Sequence, residues 1–105
     1  MHENQPPHGA SVVLDIGGEV GALLVRLTSM PAGGELEARP VGDDGRRFHT
    51  GVHPRPSDRG DVLVAVFPQV LEGRYEVLDV KGAADAQAIA TVSVRGGQLT
   101  ELDLQ

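Results

Sequence analysis

Glycine and proline interrupt this chain at short intervals. The 105 residues include 14 glycines and 7 prolines, and the longest stretch without either runs from Ala83 to Arg95. Because these residue types are the least favourable in a helix interior, long helices, coiled coils and membrane-spanning helices are excluded. The chain also contains no cysteine, which excludes disulfides, thiolate metal clusters and a cysteine nucleophile. These exclusions indicate a single small all-β domain.

The segments between these interruptions carry the patterns of β-strands. Glu35–Val41 alternates polar and apolar residues, which is typical of a half-buried strand, whereas Asp61–Phe67 is apolar on both faces. A strand of the second kind is central and covered, or it lies at an interface. Such spacing is typical of a β-sandwich or small barrel, and we predict a single antiparallel β-sandwich of seven to eight strands. The predicted strands are Ser11–Ile16, Val20–Leu27, Glu35–Val41, Arg47–Val52, Asp61–Phe67, Arg74–Val80, Ala86–Val94 and Gln98–Leu104.

Two segments allow other interpretations. Ala83–Ala90 has good helix propensity and would form one or two helical turns, but the alternation in Thr91–Val94 favours a loop followed by a strand. His53–Gly60 contains two prolines, which cannot donate to a ladder, and is predicted to be a loop.

The first ten residues are polar and contain two adjacent prolines. Met1–Ala10 therefore predicts a flexible tail that precedes a β-sandwich domain over residues 11–105. The segment has the pattern of neither a signal peptide nor a membrane anchor, so we expect a cytoplasmic protein that does not bind membranes.

The charge of the chain is unevenly distributed. The formal net charge is −6, which disfavours binding to nucleic acid, and the chain has few aromatic residues on which bases stack. The segment Arg39–Arg59 nevertheless carries five arginines against three aspartates. Four of these arginines form a candidate patch for an anion or an acidic partner, although arginines in turns also serve solubility alone. The four are Arg46, Arg47, Arg55 and Arg59.

His49 and His53 are weak candidates for metal ligands. Four residues of a strand span about 13 Å, which is too far for one ion unless the chain bends at Gly51. Structural or solvated histidines are the simpler interpretation. The serines lack a nucleophile-elbow motif, and the aspartates of this region lie in loops, where such residues bond their own backbone. We therefore predict no catalytic residues and no cofactor.

The last forty residues contain a recognisable pattern. It consists of Phe67-Pro68, Leu71–Val77, Val92–Val94 and Gly97–Leu104. The pattern resembles prealbumin-like (transthyretin-like) β-sandwiches of the carboxypeptidase-regulatory-like and collagen-adhesin B-type modules. The resemblance implies that Tyr75 and Val77 face the core. The opening, VVLDIGGEVGALLV, also resembles small actinobacterial proteins with no assigned function.

The departures from these families limit what the resemblance implies. Collagen-adhesin modules often form an isopeptide bond between an early lysine and a late asparagine, whereas the only such residues here are Lys81 and Asn4. Ureide-hydrolysing relatives have a His/Arg set and a C-terminal motif that this chain lacks. We therefore expect a non-enzymatic accessory or protein-interaction module whose partner is another protein or a second copy. The alternative is a small-anion or metal-binding protein that uses residues 46–59.

Overall fold

The computed structural model describes residues 16–31, 33–42, 47–58, 60–79 and 88–104, and these residues form seven strands. The strands are β1 (Val20–Leu27), β2 (Glu35–Pro40), β3 (Phe48–Arg55), β4 (Val62–Leu71), β5 (Gly73–Asp79), β6 (Ala90–Val94) and β7 (Leu99–Asp103). The predicted all-β class is confirmed. Within the described ranges no helix is long and apolar enough to span a membrane.

Some predictions fall on residues that the structure does not describe. They are the tail Met1–Ala10, the predicted strand Ser11–Ile16 except for its last residue, and most of the helical alternative Ala83–Ala90. The described end of that alternative, Ala90, is the first residue of β6.

The seven strands form one mixed, nearly closed sheet with the order β6-β5-β2-β3-β4-β1-β7. Five of the six neighbouring pairs are antiparallel, whereas β1 and β7 are parallel. The prediction of a wholly antiparallel sheet was therefore wrong. Side-chain alternation determines which face of a strand is buried but carries no information about the strand's neighbours, so the last strand can pair with the first in either direction.

Three of the described prolines belong to strands: Pro40 at the end of β2, Pro54 in β3 and Pro68 in β4. Pro54 corrects the predicted loop at His53–Gly60. Pro54 belongs to β3 and lies opposite Leu63 of β4. The β2–β3 ladder ends at Gly51, so among the described strands β3 has a neighbour on one side only at Pro54. Such edge positions tolerate proline. Pro68 extends β4 beyond the predicted end at Phe67 and lies where the β1–β4 register shifts.

The core lies between the inward faces of the curved sheet and is made mainly of valine and leucine. Its largest fully buried side chains are Leu23, Val25, Leu36, Val70 and Val77. Tyr75 is also buried, and its hydroxyl donates a 2.6 Å hydrogen bond to the carbonyl oxygen of Leu71. Tyr75 and Val77 thus face the core, as expected.

Two glycines allow the β6–β7 turn to lie against the start of β1. A Cβ on Gly21 would overlap the carbonyl oxygen of Arg95, and a Cβ on Gly96 would overlap that of Gly18. The turn is also tied to β1 by backbone bonds, in which Gly97 donates to Val20 and Ala22 donates to Gln98. This close approach places β7 beside β1.

Candidate functional site

The outer face of β3 carries most of the described residues of the predicted patch. Val52 of this strand is buried in the core, so the alternation of side chains places His49, His53 and Arg55 on the opposite face. Arg47 directly precedes the strand. Arg46 and Arg59 lie outside the described residues.

A buried carboxylate on β2 lies beside this group. Glu37 pairs with His49 across the β2–β3 ladder and is only 8% exposed. Its Oε1 lies 3.0 Å from Nε2 of His49, and its Oε2 lies 3.7 Å from Nη1 of Arg47. Because a buried charge is costly unless it is paired, Glu37 gives both side chains a structural role within the chain. The alternation of polar and apolar residues in β2 did not indicate that the side chain of Glu37 is buried.

The two histidines have different surroundings. Nε2 of His49 is occupied by Glu37, whereas the imidazole of His53 lies against Gly51, with Nε2 2.9 Å from where a Cβ on that glycine would be. In the part of the chain that the structure describes, no three His, Cys, Asp or Glu side chains are grouped closely enough to hold a metal ion. Metal binding by His49 and His53 therefore remains a hypothesis from the sequence.

The arginines of the basic segment also differ from one another. Arg39 lies 3.3 Å from Oε1 of Glu76 on β5, and Arg47 interacts with Glu37. Arg55 lies opposite Val62 on the outer face, and among the described residues no acidic side chain is bonded to it. Of the two described arginines in the predicted patch, Arg55 is thus the one that makes no ion pair with a described residue, and it is partly buried.

The outer face of β4 is apolar. Ala65 and Phe67 point into the core, so Val62, Val64 and Val66 point outward, where they are partly exposed. Leu24 of β1 lies beside Val66 and is also partly exposed. We call these four side chains the valine face. The predicted apolar character of both sides of this strand is thus present in the structure, on a central strand between β3 and β1.

A charged cluster lies next to the valine face, on the outer side of the parallel β1–β7 pair. Arg26 donates a 2.8 Å hydrogen bond from Nη1 to Oδ1 of Asp103, and its Nη2 bonds to Glu101. These two hydrogen bonds raise the pKa of Arg26 above its ordinary value. No sequence motif signals this cluster, because its members are 75 and 77 residues apart along the chain.

A cavity of about 300 Å³ lies at the end of the sheet where β1, β5 and β7 finish. Its lining includes the apolar side chains of Leu27, Met30, Ile89 and Leu104 and also Asp79. Met30 and Ile89 are about half exposed there, at 46% and 49%. The cavity is at the lower end of the volumes of small-molecule sites and combines an apolar lining with one carboxylate.

Comparison with protein-family models, with curated proteins and with solved structures gave no match. The surfaces described above are therefore the basis for a functional proposal. Three of them lie side by side on the outer side of neighbouring strands: His53 and Arg55 on β3, the valine face on β4 and β1, and the Arg26 cluster on β1 and β7.

Proposed function

We propose that this protein is a non-enzymatic protein-interaction module with a prealbumin-like β-sandwich fold, and that it binds another protein through the valine face. The observation that carries the proposal is the outward orientation of Val62, Val64 and Val66 on the central strand β4. A strand whose outer face meets only water normally carries polar residues there.

The valine face has the composition of an interface centre. Each valine contributes about 1.5–3 kcal/mol when it is fully buried, so covering the partly exposed valines supplies part of that stabilisation. Contiguous apolar patches with polar borders mark interaction sites. Here His53 and Arg55 border the face on β3, and Arg26 with its two acidic partners borders it on β1 and β7. This is the arrangement of an apolar centre and a polar rim.

The arrangement of the ladders supports the sandwich proposal. One ladder joins β6, β5, β2 and β3, the other joins β3, β4, β1 and β7, and the two share β3. The core residues come from both ladders, for example Leu36 and Val77 from the first and Leu23 and Phe67 from the second. This is consistent with two packed layers joined through one strand.

The proposal gives the β2–β3 pairing a structural role. Glu37 is buried, and its carboxylate is hydrogen-bonded to His49 and ion-paired with Arg47. Because a buried carboxylate is costly unless it is paired, we assign these side chains to the stability of the sheet.

A second copy of the chain is the first partner to test. The variant Val64→Glu places a charge in the middle of the valine face, and Val41→Glu is the matched control because Val41 is 48% exposed and lies after β2, away from that face. Light scattering coupled to size-exclusion chromatography is expected to show self-association of the wild type and of V41E, and a monomer for V64E. A wild-type protein that stays monomeric at millimolar concentration removes the second copy as the partner.

A further inference from the structure

One side of β7 has no strand neighbour within the described part of the chain. The strand order places β7 at one end of the sheet, paired with β1, and β6 at the other end. β6 and β7 are consecutive along the chain, yet no ladder joins them. The sheet is thus nearly closed, and within the described residues no strand fills the seam between its two edge strands.

The hydrogen bonds to β1 determine which backbone groups of β7 face this seam. The carbonyl oxygen of Gln98 accepts a bond from Ala22, and the amide of Leu104 donates to Arg26, at 3.0 and 2.7 Å. The backbone groups of successive residues in a strand point to alternate sides. The amide and carbonyl groups of Leu99, Glu101 and Asp103 therefore point away from β1, and they form a row of donors and acceptors for a further strand.

The side chains around this edge indicate what kind of strand fits. On the outer side, Glu101 and Asp103 are 50% and 67% exposed, and together with Arg26 they carry a net charge of −1. On the inner side, Leu102 and Leu104 pack against the core but remain partly exposed. A strand added here would place alternate side chains beside the acids and beside these leucines.

We propose that the free edge of β7 binds an extended segment of a partner protein by strand addition, and that this segment alternates apolar residues with lysine or arginine. The inference rests on the proposed role as an interaction module, but it uses a surface separate from the valine face. The main-chain bonds supply affinity, and the alternating side chains supply selectivity.

The negative charge of the β7 edge disfavours two candidate binding partners that this chain itself could supply: the β7 edge of a second copy and the segment Ser11–Asp15. Pairing of two β7 edges would bring the acids of one copy close to those of the other, and like charges on neighbouring strands are destabilising. Acidic side chains on an edge strand also limit such self-pairing. The apolar segment Ser11–Asp15 contains an acid and no basic residue, so its charge does not complement the edge.

The test uses the full chain and labelled peptides of about seven residues, the length of an ordinary strand. One peptide alternates valine with lysine, and a second alternates valine with glutamate. Two further peptides are N-methylated versions of the lysine peptide, one methylated at the odd-numbered amides (one phase) and one at the even-numbered amides (the other phase). Both keep the charges of the lysine peptide, but one of them lacks the amide donors that strand addition needs. Fluorescence anisotropy is expected to show binding of the lysine peptide, none of the glutamate peptide, and loss of binding in one methylated phase.

Two protein variants locate the site. Glu101→Lys is expected to weaken the lysine peptide about tenfold, because a close charge pair at an interface is replaced by a repulsion. Glu35→Lys is the matched control, since it makes the same charge change on an exposed residue of β2. Equal binding of the parent and of both methylated peptides overturns strand addition, and an equal loss in both variants overturns the β7 location.

The outcomes also separate this inference from the proposed function. If the lysine peptide does not bind while the wild type self-associates through the valine face, only the β7 proposal is wrong. If the peptide binds equally to wild type and V64E and neither self-associates, self-association through the valine face is wrong and the β7 edge stands. High salt is expected to weaken the peptide complex, but not the apolar contact.

Discussion

Glu37 and His49 lie opposite each other on β2 and β3, and a 3.0 Å hydrogen bond joins Oε1 of the carboxylate to Nε2 of the imidazole. The carboxylate is nearly buried, whereas the imidazole is about half exposed. Arg47 approaches the second carboxylate oxygen. A charge on the outer side of the sheet is thus shielded by two side chains that are, from the sequence alone, candidates for ligand binding.

This geometry predicts unequal effects for the two partners. Glu37→Ala is expected to destabilise the protein by about 1–3 kcal/mol, because it removes a buried carboxylate that is hydrogen-bonded to His49 and ion-paired with Arg47. His49→Ala is expected to cost less than about 1 kcal/mol, because the imidazole is half exposed and leaves Arg47 in place. Urea unfolding of both single variants and the double variant measures the coupling, expected at about 0.5–1 kcal/mol. His53→Ala is the control, and an equal loss there contradicts the specific pairing.

The close approach of the β6–β7 turn to β1 gives a second prediction. Gly21→Ala and Gly96→Ala each force a Cβ onto a backbone carbonyl oxygen, so each is expected to destabilise by about 1–3 kcal/mol or more. Gly17→Ala is the matched control, because the space around its Cβ is open and its φ is not positive. Thermal unfolding of the three variants measures the difference. If G21A and G96A destabilise the protein no more than G17A does, the turn is not packed against β1 as described.

Local patterns predict the burial of individual strands well in this chain. Alternation identified the core face of β2, with Leu36 and Ala38 buried, and the run of apolar residues identified β4 as a central strand. The core is made mainly of valine and leucine, in keeping with the small number of aromatic residues in the chain. These properties follow from the period of side chains along one strand and need no knowledge of its neighbours.

Properties that depend on two distant strands were not predictable in this way. The parallel pairing of β7 with β1, the burial of Glu37 and the contacts of Arg26 all depend on which strands become neighbours. The same limit explains Pro54, which is compatible with a strand only because β3 has lost its neighbour β2 at that point. Of the predicted patch, Arg55 lies in β3 and Arg47 directly before it, but the contact of Arg47 with Glu37 was not predicted.

The Arg26 cluster predicts a small, salt-dependent contribution to stability. Arg26→Gln is expected to destabilise by less than about 1 kcal/mol, because the three side chains are largely exposed. The variant leaves Glu101 and Asp103 as neighbouring like charges, so the loss is expected to shrink as salt screens their repulsion. Urea unfolding at low and high salt measures the effect, with Arg74→Gln as an exposed control on β5. A loss that is the same at both salt concentrations would show that packing, and not charge, is responsible.

The surroundings of the two histidines predict weak metal binding. A zinc ion at His49 that leaves the Glu37 hydrogen bond intact would have to bind through Nδ1, and among the described residues no three His, Cys, Asp or Glu side chains are grouped closely enough to hold a metal ion. Tight zinc sites in proteins use three or four ligands. Isothermal titration of the full chain with zinc is therefore expected to show no one-to-one site tighter than micromolar, and His49→Ala is expected to leave the weak signal unchanged. A tight one-to-one isotherm that is lost in both H49A and H53A would reverse this conclusion and assign the outer face of β3 to metal binding.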